Sequence, residues 1–266
     1  MKGTSLYKSI ISLIMLLFAL SVGAQENSLG NIVTDRPDQT ESPTLVPKGY
    51  FQIETGGFYT EDEDDNDFKT TSLGYNTTLL RYGLLDNLEL RLGWDNTETK
   101  FEANGRELEN TLNGFSTMLL GIKVGITEEK GWLPEIGLLG HLNLPFLAGQ
   151  DYRPETTGAD FRFSFSHTLS ETSSLSYNLG AAWGDDSSEL AYVYTLVYGI
   201  SLSERIGFYA ELYGDLPEDS TANHLWDSGF TYLAQPNLQF DVTVGTGFNT
   251  DQKFLVSAGV SYRLPN

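Results

Sequence analysis

The sequence predicts an all-β fold: a transmembrane antiparallel up-and-down β-barrel of about 12 strands, with a polar N-terminal segment at or in its periplasmic mouth. Three observations predict it. Apolar and polar residues alternate with period two through most of the chain after Lys48, the spacing of side chains on one face of a strand. Short, turn-like connections alternate with longer polar ones, as in an antiparallel meander. The polar positions inside these segments carry charges of both signs among Gly, Ser and Thr, which a closed lumen accommodates and a lipid-facing wall does not.

Residues 1–24 have the layout of a secretory signal. Basic Lys2 and Lys8 precede an apolar run from Ile10 to Leu20, and Val22-Gly23-Ala24 forms a small-residue cleavage site before Gln25. The run falls short of the roughly 20 residues that span a bilayer as a helix. Residues 25–47 form a leader. Between Thr34 and Pro47 lie three prolines, three acids and one arginine. Pro37, Pro43 and Pro47 lack the N–H that a sheet ladder needs, and Asp35, Arg36, Asp38 and Glu41 are costly in hydrocarbon. The leader therefore either enters the lumen as a plug, where Arg36 would pair with Glu54 or Glu89, or hangs at the periplasmic mouth. Asp-Arg-Pro-Asp is able to make a hydrogen-bonded turn, which favours the ordered form.

Residues 48–266 form the barrel. The cleanest alternation sets Leu88, Leu90, Leu92 and Trp94 opposite Glu89, Arg91, Gly93 and Asp95. Phe161, Phe163 and Phe165 stand opposite Arg162, Ser164 and Ser166, and Leu238, Phe240, Val242 and Val244 opposite Gln239, Asp241, Thr243 and Gly245. Further strands are predicted over 51–59, 118–126, 175–183, 206–212 and 254–262, with weaker ones over 70–82, 134–144, 190–202 and 224–234. Connections such as Glu61 to Phe68 and 99–113 read as long loops gathered at one end. A twelve-strand meander leaves two open edges unless it closes. Tyr50, Tyr59, Trp94, Trp183, Tyr192, Tyr213, Trp226 and Tyr262 fall near strand ends, where aromatic rings sit at headgroup level. A soluble secreted β-sandwich would show similar alternation with the charged faces outward, and is the alternative fold.

Arg36, Glu54, Glu89, Arg91, Lys123, Arg162, Asp241 and Arg263 are the candidate pore-lining residues. A net charge of −20 repels nucleic acid, and the absence of cysteine removes thiolate metal sites, disulfides and a lipidated anchor. The three histidines have no metal-ligand spacing, and no nucleophile-elbow or phosphate-loop motif occurs; His141 with Asn143 is the nearest approach to a hydrolase site. No catalytic residue, metal ligand or cofactor is assigned, and no enzyme is expected. Glu61 to Asp67 holds six acids in seven residues. In an external loop near lipopolysaccharide phosphates it would call for divalent cations, though it lacks EF-hand spacing; a structural or adhesion barrel acting through such loops is the alternative function.

The stretches TDRPDQTESPTLVPKGYFQIETG (34–56), LLRYGLLDNLELRLGW (79–94), QPNLQFDVTVGTGF (235–248) and AGVSYRL (258–264) resemble the outer-membrane β-barrel family named for the meta-cleavage pathway of phenol degradation. The likeness spans essentially the whole mature chain. It implies an outer-membrane transporter for passive passage or binding of small aromatic or otherwise hydrophobic solutes. The implied partners are outer-membrane lipid and lipopolysaccharide, the solute, and the barrel assembly machinery. The end of the chain, Tyr262-Arg263-Leu264-Pro265-Asn266, departs from the terminal aromatic on which such barrels usually end.

Overall fold

Thirteen strands make a single closed antiparallel sheet in the computed structural model of the chain. They are β1 (Phe51–Glu63), β2 (Phe68–Leu85), β3 (Leu88–Ala103), β4 (Arg106–Phe115), β5 (Met118–Thr127), β6 (Glu135–Leu144), β7 (Gly158–Ser170), β8 (Ser173–Trp183), β9 (Leu190–Ser201), β10 (Ile206–Pro217), β11 (Asn223–Gln235), β12 (Leu238–Gly247) and β13 (Gln252–Arg263). The structure describes residues 29–184 and 189–265. The signal segment 1–24, the start of the leader, residues 185–188 and Asn266 lie outside the described residues. The body treated below is Asn31–Leu264.

Consecutive strands pair around the ring except that β3, not β4, pairs with β5, and β1 pairs with β13 to close it. Twelve strands form the wall. The extra strand, β4, corrects the expectation of a loop over 99–113. β3 outruns the wall, pairing with β5 from Leu88 to Gly93 and with β4 from Asn96 to Ala103. A turn at Asn104-Gly105, both with positive φ, joins β3 to β4, as the left-handed geometry of a tight hairpin requires. Thr, Lys and Glu alternate too weakly with apolar residues there for a strand to be read. The acidic run is likewise only partly loop. Glu61 to Glu63 extend β1, and Asp64 accepts the backbone N–H groups of Asn66 (2.8 Å) and Phe68 (2.9 Å) to close the turn.

The alternation points its charges inward. Glu89 is 0 % exposed beside Leu90 at 40 %, and Lys123 is 0 % exposed beside Ile122 at 47 %. An outer belt of Leu, Phe, Val and Tyr thus faces outward while Arg, Lys, Asp and Glu fill the interior, the inverse of a soluble sandwich, and that alternative falls. Exposed Trp183 and Tyr192 belong to the belt. Tyr213 does not: it shares the inner phase of Tyr209 and Glu211 on β10.

Candidate functional site: a leader threaded into a charged lumen

The leader lies inside the ring. It enters beside the β11–β12 turn, where the Ile32 N–H donates to the Pro236 carbonyl (2.7 Å). It leaves beside the end of β2, where the Gly49 N–H donates to the Gly83 carbonyl (2.7 Å). Both points are at the short-turn end. Between them the chain reaches mid-barrel, where Asn178 on β8 forms a reciprocal pair with the Glu41 backbone, accepting its N–H (2.7 Å) and donating to its carbonyl (2.9 Å). Prolines leave a chain short of donors, and the wall offers acceptors to the N–H groups that remain. Glu54 takes the N–H of Asp35 and of Arg36 (each 3.0 Å), Glu89 takes that of Val46 (2.8 Å) and Glu211 takes that of Gln39 (2.7 Å). Satisfying buried backbone groups with charged acceptors is among the stronger hydrogen-bond contributions.

Two charged walls hold the leader's side chains. On the basic wall, β2, β3 and β5 bring Arg81, Arg91 and Lys123 together on the inner face. Asp35 sits among them, with Oδ2 2.6 Å from Arg91 and 3.1 Å from Arg81, and both oxygens 2.9 Å from the Lys123 ammonium. Burial alone would raise the Asp35 carboxyl, but Arg81, Lys123 and Arg91 outweigh it and hold it well below the usual carboxylate range. Glu41 takes the other end of Arg91 at 2.6 Å. Arg81 forks onto Glu89 (2.8 and 2.9 Å) and reaches Glu54 (2.8 Å), the bidentate geometry that favours arginine over lysine.

On the acidic wall, β10, β11 and β12 carry Glu211, Asp227 and Asp241. Arg36 crosses to it, its Nε and NH2 donating to Asp241 at 3.2 and 2.9 Å. Gly56 and Gly259 leave room for that crossing, since a Cβ at either would run into the Arg36 guanidinium. Thr40 donates to Glu211 and is bonded to Thr195 (2.6 Å). Asp38, held nearby, is pushed well above the usual carboxylate range by burial and by the Glu211 carboxylate. Neither Asp227 carboxylate oxygen meets a hydrogen-bond donor among the described residues.

Six of the eight candidate residues thus meet in one network around the leader: Arg36, Glu54, Glu89, Arg91, Lys123 and Asp241. Arg162 faces the interior on β7 at 3.5 Å from Asp160, and Arg263 is buried on β13 opposite Gln52. One expected pairing is different: the Arg36 guanidinium goes to Asp241, while Glu54 and Glu89 take Arg81. The hub residue Arg81 and its partner Asp35 were not among the candidates. Leu79 shares the inner face with Arg81 while Leu80 points outward, so both faces carry leucine and the local parity is unreadable. Glu211 hides likewise, in phase with inward Tyr209 between apolar neighbours.

Beside the leader a cavity of about 540 Å³ remains, walled by hydroxyls such as Ser166, Ser174 and Ser176 and by Thr40 and Arg36 of the leader. His141 bonds Asp160 at 3.1 Å within the wall.

The architecture has solved relatives. An outer membrane channel from Pseudomonas putida F1 superposes with a TM-score of 0.68 at 12% identity, covering 87% of this chain and 100% of that one. The transport unit of the autotransporter AIDA-I from Escherichia coli gives 0.53 at 12% identity over 90% and 95%, and the KdgM porin 0.50 at 10% identity over 80% and 99%. At these identities the likeness shows the fold, that of outer-membrane β-barrel channels and porins. No curated protein matches the chain in sequence. Residues 34–264, from the start of the inserted leader to the last wall strand, match a single family model, and the chain belongs to that family, described as "Putative MetA-pathway of phenol degradation".

Proposed function

We propose that the chain is an outer-membrane channel, exported by its signal segment 1–24, that passes small solutes passively through a lumen narrowed by its own leader. The observation that carries this reading is the threaded leader: a polar, charged interior closed to lipid is filled on its basic side and left with a hydroxyl-walled space of about 540 Å³ on the other. That volume suits a ligand of small-molecule size and no polymer. Of the inward-facing set Arg36, Glu54, Glu89, Arg91, Lys123, Arg162, Asp241 and Arg263, Arg36 borders that space directly, and the rest set selectivity as lining wherever the leader leaves them uncovered. The family's description supports small aromatic compounds as the solutes. The outer belt meets lipid and lipopolysaccharide, and insertion uses the barrel assembly machinery. The charged interior groups are accounted for by leader docking and lining, so no enzymatic role is proposed.

Planar-bilayer recording and liposome swelling test this with protein shown to be folded by its heat-modifiable migration in detergent gels. Steady small conductance and flux of small solutes, with exclusion of larger ones, is the expected result. Folded protein that passes neither ions nor any small solute overturns it.

A further inference from the structure

The basic wall is built to hold something that the wall itself does not supply. Arg81 is neutralised by wall residues, through Glu89 and Glu54. Lys123 is not: its ammonium makes its three bonds to the leader, to both Asp35 oxygens and to the Ser42 carbonyl (2.7 Å). Arg91 keeps one longer contact to the wall, Glu89 at 3.2 Å, and spends its two short ones on Asp35 and Glu41. In direct contact, the three wall cations therefore meet only two wall carboxylates among the described residues, Glu54 and Glu89, and all five are at most 2 % exposed with the leader docked. With the leader withdrawn, Lys123 loses all three of its hydrogen bonds and Arg91 its two short ones. Cations vacated in this way favour an anion in the leader's place.

The shape of the missing anion is given by what fills the site. Asp35 presents two coplanar oxygens. One meets Lys123 and the Ser42 N–H (each 2.9 Å); the other meets Arg91, Lys123 and Arg81. Five contacts from four groups, three of them wall cations and the fourth the leader's own Ser42 N–H, converge on the two oxygens of one planar group; that is a carboxylate site, and arginine geometry favours that group over a spherical halide. We infer that Arg81, Arg91 and Lys123 form a carboxylate-binding site for the solute, which Asp35 of the leader occupies as a tethered competitor. The inference rests on the channel reading above and narrows its solutes to small carboxylic acids in their anionic form. A solute carboxylate would displace Asp35 from the site, and the leader would return when the solute leaves.

The chain lacks cysteine, so one introduced thiol reports on the leader without background. Val46 is 2 % exposed while its N–H is held by Glu89; in full-length Val46→Cys protein, maleimide labelling measures undocking. Adding Asp35→Ala should raise the labelling rate about tenfold, the equivalent of losing one strong ion-pair contact. Acetate or benzoate in the tens of millimolar should bring it back toward the parent rate by filling the vacated carboxylate position, whereas equal chloride or benzyl alcohol should not. On the parent protein benzoate should do the opposite and speed labelling by competing with Asp35. Equal effects of carboxylate and chloride, in both proteins, would mean a structural latch with ordinary screening and overturn the site. Where Asp35→Ala does not fold, Asp35→Asn and the parent competition carry the same decision. Swelling assays with a neutral solute separate the two proposals. Flux without carboxylate rescue removes the site alone, and rescue without flux removes the channel alone.

Discussion

On the basic wall of the lumen, charges are matched side chain to side chain; on the acidic wall, much of the matching is left to backbone and hydroxyl groups. Arg81, Arg91 and Lys123 meet Asp35, Glu41, Glu54 and Glu89 in a continuous set of contacts between 2.6 and 3.2 Å. Across the lumen Arg36 is the cation that ion-pairs with the acidic wall among the described residues, at Asp241, while Glu211 is met by an N–H and a hydroxyl and Asp227 stands opposite it on the neighbouring strand. The leader is thus fastened on one side and leaned against the other. Fastening resists change; leaning permits it. The difference teaches where such a segment is able to let go.

The largest effect should come from breaking the hub of the fastened side. Arg81→Met keeps the aliphatic stem of the side chain and removes its charge, leaving Glu54 without its cation while Asp35 and Glu89 each lose one of theirs. Removing one partner of a buried ion-pair set costs about 3–5 kcal/mol, enough to release the leader. Heat-modifiable migration should shift to lower temperature and Val46→Cys should label freely; an unchanged transition would erase the distinction between the two walls. On the leaning side Asp241→Asn should cost less, about 1.5 kcal/mol for a charged hydrogen bond, because Arg36 retains some solvent access and its second contact to Thr77 at 3.3 Å. A loss as large as that of Arg81→Met would show that Arg36, not Asp35, is the principal anchor.

Gly259→Leu sharpens the same point sterically. Its side chain would occupy the path of the Arg36 guanidinium without altering any charge. The leader should detach on the acidic side only, with conductance rising and thermal stability falling less than in Arg81→Met. Equal loss on both sides would mean that the two walls act as one unit.

The wall was legible because lipid imposes a strong rule: outward positions are predominantly apolar, so period two survives wherever the inner face is polar, as in 88–95 and 237–245. The rule fails where the inner face is also apolar. Leu79 beside Leu80, and Tyr209 two residues from Glu211, hide Arg81 and Glu211 from any reading of parity. It fails again beyond the membrane, where β3 and β4 project past the wall among threonines and glutamates and no longer need an apolar side. The leader's exclusion from the lipid-facing wall was legible from its prolines and charges, which left the lumen and the periplasmic mouth both open to it. Its partners were not legible, because which acid meets which base is decided by the strand register and by the space left at Gly56 and Gly259, neither of which composition carries.

The smallest expected effect has the opposite sign and separates the walls by pH. Asp38 binds its proton more tightly in the docked leader than free, since burial and Glu211 raise its carboxyl. Docking therefore loses stability as pH climbs from the ordinary carboxylate value, about 3.9, toward the raised one. Asp35 runs the other way: its lowered carboxyl contributes docking stability above the ordinary value and gives it up only as pH falls through the depressed one. Between mildly acidic and neutral pH the change thus belongs to the acidic wall. Asp38→Asn should tighten the leader at neutral pH, slowing Val46→Cys labelling several-fold relative to the parent, and this ratio should shrink toward one as the pH approaches 4. Taking the ratio at each pH removes the thiol's own ionisation from the comparison. A ratio that stays flat would place Asp38 in bulk water and leave the acidic wall without the strain that lets the leader move.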